Sequence, residues 1–146
     1  LPANNGIEAS PDGRDIYVVS SGLRTIVSYR RGNPATRLGT TRTLPFTPDN
    51  VHLGPDGRLY TAGMAANVPE CGGIPGPQHD LQKLAACPRG SVAAAIDRQT
   101  MRDTIVLETP ALKAFSNATM VLPVGREGWL GTFSGDRIAV GSLRSR

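Results

Sequence analysis

Two short polar segments carry residue types that bind hard metal ions. Asn5 and the pair Asp49-Asn50 stand 44 positions apart, each just before a predicted strand. Amide and carboxylate oxygens suit Ca²⁺, which takes about 6–8 oxygen ligands in proteins. The three residues therefore predict a site for calcium or another divalent cation. The alternative is that they only cap turns, because Asn and Asp side chains often bond to nearby backbone groups.

The two histidines are candidates for proton transfer. His52 follows Asn50 by two positions, and the alternation of a strand places both side chains on one face. His52 is then either a catalytic group on a channel wall or a hydrogen-bonded wall residue. His79 lies in a Gly- and Pro-rich segment. It is either a base, a substrate contact or a solvated loop residue. No Gly-x-Ser-x-Gly or P-loop motif supports a serine hydrolase or a phosphate-cradling site.

The same Gly- and Pro-rich segment holds both cysteines, Cys71 and Cys87. Two cysteines are too few for a structural zinc site unless His79 and another residue join them. We expect a Cys71–Cys87 disulfide, which implies an oxidising compartment and a periplasmic or secreted protein. Two reduced, unrelated thiols are the alternative.

A repeat of about 44 residues positions these candidates. Asn5 and Asp49 each stand six residues before the proline of a Pro-Asp-Gly-Arg turn, and a weaker third copy runs over residues 119–128. Pro-Asp-Gly is strong turn chemistry, and short apolar strands flank each turn. The pattern predicts four, four and three strands. Tyr60, Trp129 and Phe133 are expected to pack between the repeats.

Four antiparallel strands in about 44 residues are typical of a β-propeller blade. We predict an all-β chain with blades at about 1–46, 47–110 and 111–146, and an insertion over 64–89 above the channel mouth. Because propellers have about 4–8 blades, this chain is expected to be the C-terminal half of a six-bladed ring. The N-terminal half is then a separate chain or a cleaved portion, and Leu1-Pro2-Ala3 indicates a mature or cut N-terminus. A small β-sandwich is the alternative.

The charge and hydropathy of the sequence limit the classes of partner that it could bind. The net charge is +4, but the basic residues are scattered rather than clustered, which argues against nucleic acid. No run approaches about 18 apolar residues, so no membrane span is expected. Asn117-Ala118-Thr119 matches a glycosylation sequon, but its position at a strand start makes it a poor acceptor.

The residues resemble a known superfamily. Residues 3–14, ANNGIEASPDGR, are similar to the ANGI–SPDG segment of calcium-dependent lactonases and arylesterases, and Pro48-Asp49-Asn50-Val51 resembles their DN-[IV] segment. The relatives are gluconolactonase/senescence-marker proteins, paraoxonases and strictosidine-synthase-like propellers. The resemblance covers most of the chain except residues 64–89. It implies that Asn5, Asp49 and Asn50 ligate a catalytic calcium.

What the resemblance implies is hydrolysis of a small lactone or ester, with the metal polarising the carbonyl. The family's other ligands and proposed base lie in its N-terminal half. The alternative is a non-catalytic binding or scaffold propeller of the surface-layer or NHL-repeat type. Such modules need no Asn and Asp-Asn at blade starts. A third alternative is a synthase-like use of the same channel without the metal.

Overall fold

The computed structural model describes residues 1–76 and 80–144. Within these ranges, eleven strands form three antiparallel sheets, each ordered as a meander. The first sheet contains β1 (Asn4–Ala9), β2 (Asp15–Ser20), β3 (Thr25–Arg30) and β4 (Thr36–Thr40). The second contains β5 (Phe46–Leu53), β6 (Leu59–Ala65), β7 (Ser91–Ile96) and β8 (Asp103–Thr109). The third contains β9 (Ala118–Val124), β10 (Glu127–Thr132) and β11 (Ala139–Ser142).

The all-β class and the strand counts of four, four and three are confirmed, and the sheets are blades of a partial propeller. The fourth predicted strand, placed at 37–44, is the five-residue β4, Thr36–Thr40. The Pro-Asp-Gly turns close two hairpins as predicted, because Gly13 and Gly57 take the left-handed conformation (φ 66° and 78°) that favours glycine.

The three sheets pack face to face. One core lies between the first and second sheets, where Tyr17, Val19 and Ile26 meet Val51 and Leu59. A second core lies between the second and third sheets and is rich in alanine; it contains Tyr60, Ala62, Ala93, Ala95, Val106, Leu107, Phe115, Ala118, Val121 and Leu130. The middle sheet is therefore covered on both faces, which explains why every residue of β7 is buried.

The aromatic residues divide between buried and exposed positions. Tyr60 is buried between sheets, as expected. Trp129 and Phe133 are 38% and 47% exposed, so they do not pack between the three sheets of this chain. Trp129 lies on the face of the third sheet that points away from the second, and Phe133 follows the end of β10.

The segment between β6 and β7 is more ordered than a plain loop. It contains a 3₁₀ turn at Pro69–Cys71 and a short helix, α1, at Leu81–Ala86. The predicted disulfide between Cys71 and Cys87 is present, which indicates an oxidising compartment. No helix in the described part of the chain is long and apolar enough to cross a membrane.

Candidate metal site at the inner strands

Each of the three inner strands β1, β5 and β9 carries a bulge near its start. The pairing register shifts at Asn5-Gly6 in β1, at Asp49 in β5 and at Thr119 in β9. A bulge adds a residue that the partner strand does not match, and so re-aims a side chain. β5 contacts both β1 and β9, so the three bulged segments are neighbours.

The bulges bring the predicted ligands together. The Asn5 side chain lies close enough to the Asp49 carboxylate to lower its pKa as a hydrogen-bond donor. The Asn50 amide donates to Asp49 Oδ1 at 3.3 Å and to the Thr119 carbonyl at 3.2 Å. Asn5 and Asn50, which are 45 positions apart in the sequence, thus share one carboxylate. The third blade joins the cluster through its backbone.

Hydrogen bonds from the turn after β2 and from β6 hold the backbone on either side of Asp49. The Ser21 hydroxyl donates to the Pro48 carbonyl at 2.6 Å, and the Thr61 hydroxyl donates to the Asn50 carbonyl at 2.7 Å. Because the carbonyls on both sides of the bulge are hydrogen-bonded, the backbone that carries the Asp49 side chain is held in place. The geometry of the cluster is therefore set by the fold and not by the cluster alone.

Gly6 lets β1 approach β5 closely. A β-carbon at Gly6 would lie 2.6 Å from the Asn50 Cα and 2.8 Å from the Asp49 carbonyl oxygen, both backbone atoms that cannot move aside. The Asn-Gly sequence of the first repeat is thus a steric requirement of the site. It brings the Asn5 amide next to the Asp49 carboxylate.

Asp49 is a half-buried carboxylate, and no cationic side chain pairs with it in the described ranges 1–76 and 80–144. Burial raises the pKa of Asp49 above its ordinary value, and the hydrogen bond from Asn5 only partly opposes that rise. A cation beside the carboxylate would favour its charged form. The charge of this site is therefore suited to receiving a positive ion.

The donor set fits calcium in kind, although it is incomplete in number. One carboxylate and two amides are hard oxygen ligands, and calcium takes about 6–8 of these. Among the residues that the structure describes, no three His, Cys, Asp or Glu side chains lie close enough together to hold a metal. Asn5, Asp49 and Asn50 would hold the ion through one charged and two neutral groups. The remaining ligands would be water, substrate or groups outside this cluster.

Of the two candidate histidines, only His52 lies within the described residues. His52 pairs with Tyr60 and Asn50 with Ala62, so His52 and Asn50 share the face that looks toward the third sheet. The His52 Nε2 atom is buried and has no hydrogen-bond partner among the described residues. The proposed role of His79 lies outside the described residues.

Sequence reasoning missed two buried residues, Arg89 and Asn117, which lie between the insertion and the start of β9. Arg89 is only 2% exposed, although arginine is normally a surface residue. Asn117 is fully buried in the left-handed conformation, with φ 54°. The sequon that contains Asn117 is therefore inside the fold. The cysteines near Arg89 and the strand start after Asn117 were the only sequence signals.

No protein-family model matches this sequence, and no curated protein matches it either. Solved structures do match. The chain is similar to a luciferin-regenerating enzyme at 16% identity and a TM-score of 0.50, over 87% of this chain and 36% of that one. It is also similar to a protein from Lactobacillus plantarum at 13% identity and a TM-score of 0.55, over 97% of this chain and 41% of that one.

These likenesses show the fold alone, a β-propeller-like arrangement of antiparallel sheets. The chain spans 36% and 41% of the length of the two matched structures. Three blades of this chain thus correspond to well under half of each of those proteins.

Proposed function

We propose that this chain forms part of a calcium-dependent hydrolase of small lactones or esters. The observation that carries the proposal is the cluster of Asn5, Asp49 and Asn50 at adjacent bulges, with a half-buried carboxylate that no described cation neutralises. The fold shared with a luciferin-regenerating enzyme and the sequence resemblance to calcium-dependent lactonases support the same reading.

The role of each residue follows from its chemistry. A bound calcium ion would supply Lewis acidity that polarises an ester carbonyl. Asp49 would contribute the charge that retains the ion, and the two amides would contribute neutral oxygens. The buried Nε2 of His52, which has no hydrogen-bond partner among the described residues, makes this residue our candidate for moving a proton. His79 remains the second candidate.

The rest of the site would come from further blades. The cluster supplies three ligand groups, and the chain spans 36% and 41% of the matched structures. We therefore place the missing ligands in an N-terminal half of a six-bladed ring, as a separate chain or a cleaved portion. The oxidised Cys71–Cys87 pair supports a periplasmic or secreted location for the assembled protein.

Calcium titration of the protein with all its blades tests the proposal. Chelator-stripped protein is titrated with Ca²⁺ by calorimetry, and hydrolysis of a lactone and aryl-ester panel is measured with and without chelator. Asp49→Asn should abolish binding, because an amide cannot supply the charge. It should leave metal-free stability unchanged or higher, because a costly buried carboxylate is removed.

Asp136→Asn is the matched control, since it makes the same substitution at a carboxylate that is 90% exposed in the third blade. It should bind calcium like the wild type. A folded wild-type protein that binds no calcium would overturn the proposal and favour the non-catalytic scaffold propeller of the surface-layer or NHL-repeat type.

A further inference from the structure

Arg89 joins the two ends of the insertion between β6 and β7. Its guanidinium donates to the Ala65 and Ala66 carbonyls at 3.2 and 2.8 Å, where the insertion begins. It also donates to the Cys71 and Gly73 carbonyls, both at 3.0 Å, beside the disulfide. One buried cation thus fixes four carbonyls. Arginine suits this task because its planar fork offers five donors in a rigid arrangement.

Asn117 connects that clamp to the third blade. The backbone N–H of Arg89 donates to Asn117 Oδ1 at 2.8 Å, and the Asn117 N–H donates to the Arg89 carbonyl at 3.1 Å. The Asn117 amide also donates to the Cys87 carbonyl at 3.5 Å. Asn117 takes the left-handed conformation directly before β9. The Thr132 hydroxyl donates to the Asn117 carbonyl at 3.1 Å.

The start of β9 in turn touches the candidate metal site. Only Ala118 separates Asn117 from Thr119, the bulge residue whose carbonyl accepts the Asn50 amide. A contiguous series of short contacts therefore runs from the disulfide through Arg89 and Asn117 to Asn50. The steps are hydrogen bonds and the two peptide bonds that join Asn117 to Thr119, so a shift at Asn117 is transmitted along the backbone toward the Thr119 carbonyl.

We infer that Arg89 and Asn117 are positioning residues, which orient the Asn50 side chain by holding the Thr119 carbonyl in place. The insertion then supports the start of β9, in addition to its predicted position above the channel mouth. This inference rests on the proposed function for its consequence in metal binding. The orientation of Asn50 itself can be measured without metal.

Two substitutions at Asn117 separate backbone from side chain. Asn117→Gly keeps the left-handed backbone accessible and removes the side-chain bonds to Arg89 and Cys87. Asn117→Asp keeps an acceptor for the Arg89 N–H, and Asp tolerates the left-handed region. Asn67→Gly is the matched control, because Asn67 is an exposed asparagine in the same insertion.

The first measurement is the side-chain amide signal of Asn50 by NMR in the metal-free protein with all its blades. We expect N117G to shift this signal and speed its hydrogen exchange at least tenfold, N117D to restore it, and N67G to leave it unchanged. Calcium affinity measured on the same variants should fall about tenfold in N117G and recover in N117D.

The outcomes are distinguishable. If the Asn50 signal is unchanged in a folded N117G protein, the positioning role is wrong and Asn117 serves only the insertion. If the signal changes as expected but the wild type binds no calcium, positioning stands and the metal proposal fails. If N117G does not fold, Arg89→Lys replaces it, because lysine keeps the charge but cannot bond four carbonyls at once, and the same Asn50 readout decides.

Discussion

Two aspartates of the second sheet shift their pKa values in opposite directions. Asp49 lies half-buried at the inner bulge, where burial raises its pKa. Asp97 lies exposed at the turn after β7, and hydrogen bonds from the backbone N–H and the hydroxyl of Thr100 lower its pKa. Charged Asp97 therefore stabilises its own turn, whereas burying the charge of Asp49 costs free energy. A cation placed beside Asp49 would offset the cost of burying its charge.

The Asp97 turn predicts a pH dependence of stability. Because the folded pKa is lower than the unfolded value of about 3.9, its contribution is present above that pH and is lost as the pH falls through the folded pKa. Asp97→Asn should therefore flatten the fall in melting temperature between about pH 5 and 2. Thr100→Val, which removes one donor, should give an intermediate slope. Parallel curves for all three proteins would contradict this account.

At the scale of elements, the bulge in β5 depends on a glycine in the strand beside it. Gly63 pairs with Pro48, and a β-carbon at Gly63 would overlap the Thr47 carbonyl oxygen. Since the obstacle is backbone, relief requires β5 to move. We expect Gly63→Ala to destabilise the protein by about 3 kcal/mol or more, at or beyond the upper end of ordinary overpacking, and to weaken calcium binding.

Gly76→Ala provides the control, because a methyl group there meets open space. Denaturant unfolding should place it within about 0.5 kcal/mol of the wild type, as for most surface substitutions. If G63A unfolded like G76A, the close contact between β5 and β6 would not be a requirement of the bulge.

The sequence predicted the hairpins but not the bulges. Pro-Asp-Gly is a local signal, so the turns at Gly13 and Gly57 could be located without knowing their neighbours. A bulge depends on how closely neighbouring strands approach, both within a sheet and between sheets, which no local pattern reports. Arg89 was missed for a similar reason: its four carbonyl acceptors come together only when the insertion folds back. Asn5 and Asp49 were found because the repeat places them at equivalent positions.

At the scale of the whole molecule, both end sheets present apolar faces to solvent. Leu122, Trp129 and Val140 are aligned across the three strands of the third sheet, on the face away from the second sheet. They are 51%, 38% and 49% exposed. On the first sheet, Ile7 is 66% exposed on the face opposite the core. Each inner interface of this chain is made by two such faces packed together, so a further blade against either end would repeat that arrangement.

A further blade packed on this ladder would give Leu122 a different energetic role from that of an ordinary surface leucine. If a neighbouring blade covers the ladder, Leu122→Thr should cost the intact protein roughly 1–3 kcal/mol, because a buried leucine contributes about that much. Leu112→Thr is the matched control: Leu112 is 48% exposed but lies in the connection between β8 and β9, away from the ladder. Chemical denaturation of both variants decides between the alternatives. Equal, small effects would mean that solvent covers the ladder and that no blade packs there.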